Sequence, residues 1–293
     1  MNQEISASAS GLRGEADWPR ARLDSDYRAR DCVTPEEFNR ILNEYRRYSL
    51  AALESVETRS DLSYDFASPE KLNLYAAGRG SLRPVVVFMH GGYWRALSRD
   101  DSAFMAPMFA SFGIATAVPD YTLAPTVGLT EIVRQMRASI AWLWHNGPDL
   151  GIDRNRILVA GSSAGGHLAA AMTMPGWEAG FGLPDAVVQA VLPISGLFEL
   201  APIASSHVQE WIALTSQEVN LLSPLRHPPK GRKKITVVVA ETEAAGFHRQ
   251  SLAYAQLLEA PHVIIRGRNH FDVILDLMDG GSALSKAALR LLS

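Results

Sequence analysis

The chain has 293 residues, 47% of them hydrophobic, a formal charge of -3 at pH 7 and one cysteine, Cys32. That charge gives no electrostatic footing for nucleic acid, no run of about 18 apolar residues exists for a membrane span, and one cysteine excludes an intrachain disulfide or a multi-cysteine metal site. A globular protein of the cytoplasm is expected, with neither a nucleic-acid nor a membrane partner.

Residues 1 to about 17 are small and polar without an apolar period, so they are expected to be mobile and to carry no chemistry. The first fourteen lack the apolar core of a secretory signal. At Thr34-Pro35-Glu36-Glu37 a helix-start signal appears, and Phe38, Ile41, Leu42, Tyr45, Tyr48 and Ala52 follow at helical spacing to about Val56. This helix is expected to pack on the core, with a role over the active site as the alternative. Residues 1–60 therefore read as an N-terminal extension and 61–293 as the catalytic domain.

Leu62 to Phe66 and Leu72 to Tyr75 are expected to pair antiparallel around Ala67-Ser68-Pro69-Glu70. Pro84 to Met89 reads as a buried strand and runs into His90-Gly91-Gly92-Tyr93-Trp94. Adjacent glycines after such a strand let backbone N–H groups point into a cleft, which suits Gly91 and Gly92 to an oxyanion hole. His90 is expected to hold the loop rather than move protons. Phe104 to Phe112 is a helix interrupted by Pro107, and Ile114 to Val118 is the next strand. In the loop Pro119 to Pro125, Asp120 is expected to brace the glycine loop. Ile132 to His145 has helical period, and His145 is explained by the helix dipole.

Ile157-Leu158-Val159-Ala160-Gly161-Ser162-Ser163-Ala164-Gly165-Gly166-His167-Leu168 joins a buried strand to an alanine-rich helix across a GxSxG turn. Strand, tight turn and helix are the context a nucleophile elbow requires, with Ser163 at its centre. Met174 to Pro184 is a punctuated insertion and Ala186 to Ile194 a strand. Residues of about 195–225, with Phe198, His207, Trp211 and Ile212, are expected to form a lid. Trp211 is either a substrate contact or a buried anchor, and His207 is the weaker candidate.

Lys230 to Lys234 reads as a solvated loop and Ile235 to Val239 as a strand. Glu241 and Glu243 then compete for the acid of a triad, and Glu243 is favoured because its offset places it where the chain has left the sheet. A helix from Phe247 to Leu258 and a short strand, Val263 to Ile265, lead to His270, the expected general base. Ser163, a glutamate and His270 stand in the order Ser, Asp/Glu, His. In such a set the histidine takes the serine proton and the N–H of Ala164, with those of Gly91 and Gly92, receives the oxyanion. This chemistry needs no metal and no cofactor. Nothing around Cys32 resembles an activating environment for a thiol nucleophile.

These residues resemble the α/β-hydrolase fold and, within it, the kynurenine formamidase (arylformamidase) group near the hormone-sensitive-lipase-like esterases. The resemblance is carried by His90-Gly91-Gly92-Tyr93-Trp94 (HGGxW), Asp120 to Pro125, Gly161 to Leu168, Ser195-Gly196-Leu197-Phe198, Leu222-Ser223-Pro224, Phe247 with Arg249-Gln250-Ser251, and Asn269-His270-Phe271. It implies a mostly parallel central sheet flanked by helices, with a small lid insertion and an N-terminal helical extension. It further implies hydrolysis of N-formyl-L-kynurenine to L-kynurenine and formate. Many members carry aspartate as the acid where this chain has glutamates. Tyr93, Trp94 and Trp211 are the expected lining for an aromatic substrate. A carboxylesterase or amidase acting on another small aryl or short-acyl substrate is the competing reading, and a silent binding module the third. The expected partner is a small-molecule substrate, and a homodimer stays open.

Overall fold

The computed structural model describes residues 8–78, 80–185, 187–231 and 233–293. Residues 1–7, Ala186 at the expected start of a strand, and Arg232 in the basic stretch lie outside them. Among the described residues nine strands form one sheet. They are β1 (Thr58–Ser63), β2 (Lys71–Tyr75), β3 (Arg83–Met89), β4 (Ala115–Pro119), β5 (Ile152–Ser162), β6 (Ala190–Ile194), β7 (Lys234–Ile235), β8 (Val237–Thr242) and β9 (His262–Asn269). Their order is β1-β2-β4-β3-β5-β6-β8-β9, with β7 beside β6. β1 and β2 run antiparallel to their neighbours, and every pairing from β4 to β9 is parallel.

The helices are α1 (Ala9–Gly14), α2 (Arg20–Tyr27), α3 (Pro35–Ser55), α4 (Ala106–Ser111), α5 (Leu129–Asn146), α6 (Ala164–Ala171), α7 (Ala201–Ala204), α8 (Gln209–Ile212), α9 (Ser216–Leu222), α10 (Ala245–Leu257) and α11 (Ala283–Leu292). They cover both faces of the sheet, which is why β3 from Pro84 and β5 from Ile157 to Ala160 are buried and apolar without alternation. The period of two still divides them. Val85, Val87 and Met89 join the layer of Ile132, Val133 and Met136 from α5, whereas Val86 and Phe88 join Ile41 and Tyr45 of α3 and Leu284 of α11. Each such buried side chain stabilises the fold by about 1.5–3 kcal/mol.

The start of α3 follows its sequence signal: the Thr34 hydroxyl accepts a hydrogen bond from the Glu37 N–H at 3.2 Å, and proline takes the first helical position. Three expectations need correction. Residues 9–17 are not loose: Leu12 and Glu15 are buried, and α1 and a 3-10 turn occupy the segment. Pro107 does not interrupt a helix but lies in the first turn of α4, where its missing N–H costs nothing. The strand read from Ile235 to Val239 is two pieces, β7 and the longer β8 that carries the chain to Thr242.

Candidate active site

Four loops that leave the C-terminal ends of parallel strands meet above the sheet, the edge at which open α/β sheets place ligands. β3 leads to His90-Gly91-Gly92, β5 to Ser163, β8 to Glu243 and β9 to His270. Ser163 sits in the turn between β5 and α6 with φ 57° and ψ -118°. That conformation is strained for a residue with a side chain, and the neighbouring backbone holds it there. The Ser163 N–H donates to the Ile194 carbonyl at 2.9 Å, and its carbonyl accepts from His167 at 3.1 Å. Beside it the backbones are too close for any side chain. A Cβ on Gly165 would lie 1.9 Å from the Met89 carbonyl oxygen, and one on Gly161 would lie 2.3 Å from that of Gly165.

Glu243 and His270 are joined directly: His270 Nδ1 lies 2.9 Å from Glu243 Oε2. The other carboxylate oxygen accepts from the Ala240 N–H at 2.8 Å and from the Ser195 hydroxyl. Three donors therefore fix this carboxylate. Ser195 is buried and has a left-handed φ of 49°. Nothing local in the sequence marked its hydroxyl, because the contact spans 48 residues. Glu241, by contrast, is exposed and accepts from the Gly267 N–H at 2.8 Å. No hydrogen bond joins Ser163 to His270 among the described residues, and both are nearly buried, at 6% and 3% exposure. Such contacts commonly tighten only with substrate present. The N–H groups of Gly91, Gly92 and Ala164 have no acceptor among the described residues.

The glycine loop is braced chiefly by Tyr121, whose hydroxyl donates to the carbonyls of His90 at 3.1 Å and Gly91 at 3.0 Å while its ring stacks on His90 at 4.1 Å. Asp120 supports the loop at one remove: it accepts from the Arg99 N–H at 2.6 Å and pairs with the Arg99 guanidinium at 3.2 Å. Burial lifts its carboxyl to about 6. It approaches His90 at 3.8 Å, not His270, which removes it from contention as the triad acid. Burial lowers His90 and His167 to about 4, so both are neutral imidazoles near pH 7. His167 ties the elbow helix to the end of α9 by a 2.8 Å contact of Nε2 with the Leu222 carbonyl.

The expected aromatic lining divides. Trp94 is fully buried, with φ 60° turning it under the loop, and stands edge-on to His167 at 5.3 Å, so it offers a substrate no accessible surface. Tyr93 and Trp211 are partly exposed and meet edge to face at 6.1 Å. The Trp211 indole N–H donates to the Tyr93 carbonyl at 3.2 Å, and the Tyr93 hydroxyl donates to the Tyr27 carbonyl. Phe247 packs on both Tyr93, at 6.4 Å, and His270, at 4.4 Å. His207 lies 5.6 Å from Trp211 and 3.5 Å from Asp24. Cys32 stands close to His270, and burial pushes its thiol up, which makes it a poor nucleophile.

Beside these loops, residues 13–27 and the segment after β6 are tied to α10 and to each other. Arg249 pairs with Glu15 at 2.6 Å and with Asp26 at 2.6 Å, Tyr27 reaches Glu15, and Gln250 receives the N–H groups of Phe198 and Glu199 at 2.8 Å. Glu199, fully buried, takes Arg226 at 2.6 Å and Arg13 at 3.3 Å. Among the described residues no cluster of three or more His, Cys, Asp or Glu is arranged to hold a metal, and no helix is long and apolar enough to cross a membrane.

Known proteins share this fold. The BD-FAE family model matches residues 72–239, more than half of the chain. The chain belongs to that family. It is an α/β-hydrolase of the arylformamidase group. Kynurenine formamidase of Salmo salar is 28% identical over 248 residues, covering 80% of this chain and 82% of that one, and its Danio rerio counterpart is 29% identical over 80% and 82%. A solved structure from Silicibacter sp. tm1040, described as a candidate thioesterase, is 29% identical and superposes with a TM-score of 0.75 over 90% of this chain and 98% of its own. A thermophilic carboxylesterase from a metagenomic library, 21% identical, shares the fold with a TM-score of 0.69 over 89% of this BD-FAE chain and 98% of its own.

Proposed function

We propose that this hydrolase is an arylformamidase that cleaves N-formyl-L-kynurenine to L-kynurenine and formate through Ser163, His270 and Glu243. The observation that carries the reading is the Glu243–His270 contact of 2.9 Å in the same group of strand ends as the strained Ser163 turn. His270 Nε2 takes the Ser163 proton as Oγ attacks the formyl carbon. Glu243, bound at Nδ1, fixes the tautomer and stabilises the imidazolium that forms. The carbonyl oxygen becomes an oxyanion, received by the N–H groups of Gly91, Gly92 and Ala164, and loss of one such donor typically costs about 10²–10³ in kcat.

The tetrahedral adduct collapses as His270 passes its proton to the departing aryl amine, leaving a formyl ester on Ser163. Water, deprotonated by His270, attacks that ester; formate leaves and the serine regains its proton. The kynurenine formamidases among the relatives, matched over most of their length, support this substrate.

The competing reading, a carboxylesterase on small aryl or short-acyl esters, uses the same residues and draws support from esterases such as LipQ of Mycobacterium tuberculosis, 29% identical over 44% of this chain. Parallel kcat/KM measurements on N-formyl-L-kynurenine and phenyl acetate, with Ser163→Ala as the blank, decide between them. We expect the formamide to be preferred. Formamide turnover at the blank level beside rapid ester turnover would overturn the proposal in favour of the esterase.

A further inference from the structure

An unbroken series of side chains runs outward from the base. Phe247 packs on His270 at 4.4 Å, Tyr93 on Phe247 at 6.4 Å, Trp211 on Tyr93 at 6.1 Å, and the Arg95 guanidinium lies over the Trp211 ring at 3.7 Å. Arg95 belongs to the glycine loop itself: its N–H donates to the Gly92 carbonyl at 3.0 Å, so its backbone is set by the same turn that presents the loop N–H groups. The side chain is exposed, and among the described residues its guanidinium makes no ion pair and no hydrogen bond.

Stacking on an indole uses the face of the guanidinium and leaves its N–H donors, which lie in the plane, unspent. Two of those donors match the two oxygens of a carboxylate. The indole is itself held, through its N–H bond to the Tyr93 carbonyl, so the fork is presented from a fixed platform. Two other basic side chains near Trp211 are already engaged: Arg20 by Asp24 and Glu210, each at 2.8 Å, and His207 by Asp24 at 3.5 Å.

We propose that Arg95, stacked on Trp211 at the outer end of this aromatic wall, is a specificity-determining residue that binds the carboxylate group of an aryl substrate. The proposal rests on the serine-hydrolase reading above. It explains why a cation without an acidic partner stands next to the reacting loop. The aromatic wall takes the ring, the serine end takes the acyl group, and Arg95 selects for negative charge at the far end.

The test compares two substrates that differ only in that charge, N-formyl-L-kynurenine and its α-carboxamide, and follows deformylation. Arg95→Gln is expected to lower the ratio of the two kcat/KM values about 10- to 100-fold, mainly through KM of the carboxylate substrate. Arg95→Lys keeps the charge but not the fork and is expected to give a smaller loss, about 3- to 10-fold. Raising salt from 0.05 to 0.5 M is expected to reduce the wild-type ratio and to leave the Arg95→Gln ratio flat. Equal losses on both substrates would make Arg95 structural, and no loss on either would remove it from recognition; each overturns the proposal. Should the wild type cleave neither formamide, the arylformamidase reading fails, and 4-acetoxybenzoate against phenyl acetate puts Arg95 to the same ratio test with the same overturning results.

Discussion

The floor of the proposed active site and the segments beside it, its proposed roof, are built by different means. In the floor, Ser163, the glycine loop, Glu243 and His270 all leave neighbouring ends of one sheet, and backbone contacts between β3 and β5 leave so little room that glycine is the only residue that fits at 161 and 165. In the roof, α1 and α2 are held to α10 and to the segment after β6 by side-chain charge: Glu15, Asp26 and Glu199 against Arg249, Arg226 and Arg13. Main-chain registry positions reacting atoms; ion pairs between distant segments hold a cover whose shape can differ while the floor is kept.

Substitutions can drive that contrast apart. The largest effect belongs to the carboxylate of the floor. Glu243→Gln is expected to lower kcat by about 10³–10⁴, because the imidazole loses its orienting charge, while Glu241→Gln stays within about threefold. Ser195→Ala removes one of three donors to the same carboxylate, and kcat should fall about tenfold. A fall in Tm with kcat unchanged would make Ser195 merely structural.

In the roof the effect should appear in stability instead. Glu199→Ala leaves Arg226 without its buried partner, and we expect a loss of about 3 kcal/mol, read as a drop in Tm of about 5–10 °C. Turnover measured well below that transition should change by no more than about threefold. A collapse of kcat with an unchanged Tm would erase the distinction between roof and floor.

The smallest effect is on pH dependence, at the joint between the two regions. His167 links the elbow helix to α9 and is held neutral, its pKa lowered by burial to about 4 against about 6.5 in an unfolded chain. Between those values the unfolded state binds more protons, so this stability is complete above pH 6.5 and is lost as the pH falls toward 4. The loss at pH 5 is about 2 kcal/mol from this group. His90, lowered in the same way, adds to it, and Asp120, raised to about 6, opposes it over pH 4 to 6. The Tm of the wild type should therefore drop from pH 7 to pH 5 by more than that of His167→Gln. Equal drops would assign the acid sensitivity elsewhere.

The same division decided what could be read beforehand. The elbow, the glycine loop, the offset of Glu243 and the long helix from Pro35 all have local signatures, because strand runs, paired glycines and a Thr-Pro-Glu-Glu start are short-range physics. Glu15 had none: its burial depends on Arg249, 234 residues away, and the polar stretch around it looked like a loose tail. Ser195 failed for the same reason. Trp94 misled differently, since an aromatic residue after two glycines suggests a pocket wall, whereas its left-handed backbone turns the ring inward against His167.

The central claim, that Ser163 is the nucleophile served by Glu243 and His270, is tested most directly by intact-mass measurement after treatment with a p-nitrophenyl phosphonate ester. The account predicts one phosphonyl group per chain, located at Ser163, with matching release of p-nitrophenol, no addition in Ser163→Ala, and labelling slowed at least 100-fold in His270→Ala. Addition at another residue, or undiminished labelling of Ser163→Ala, would contradict it.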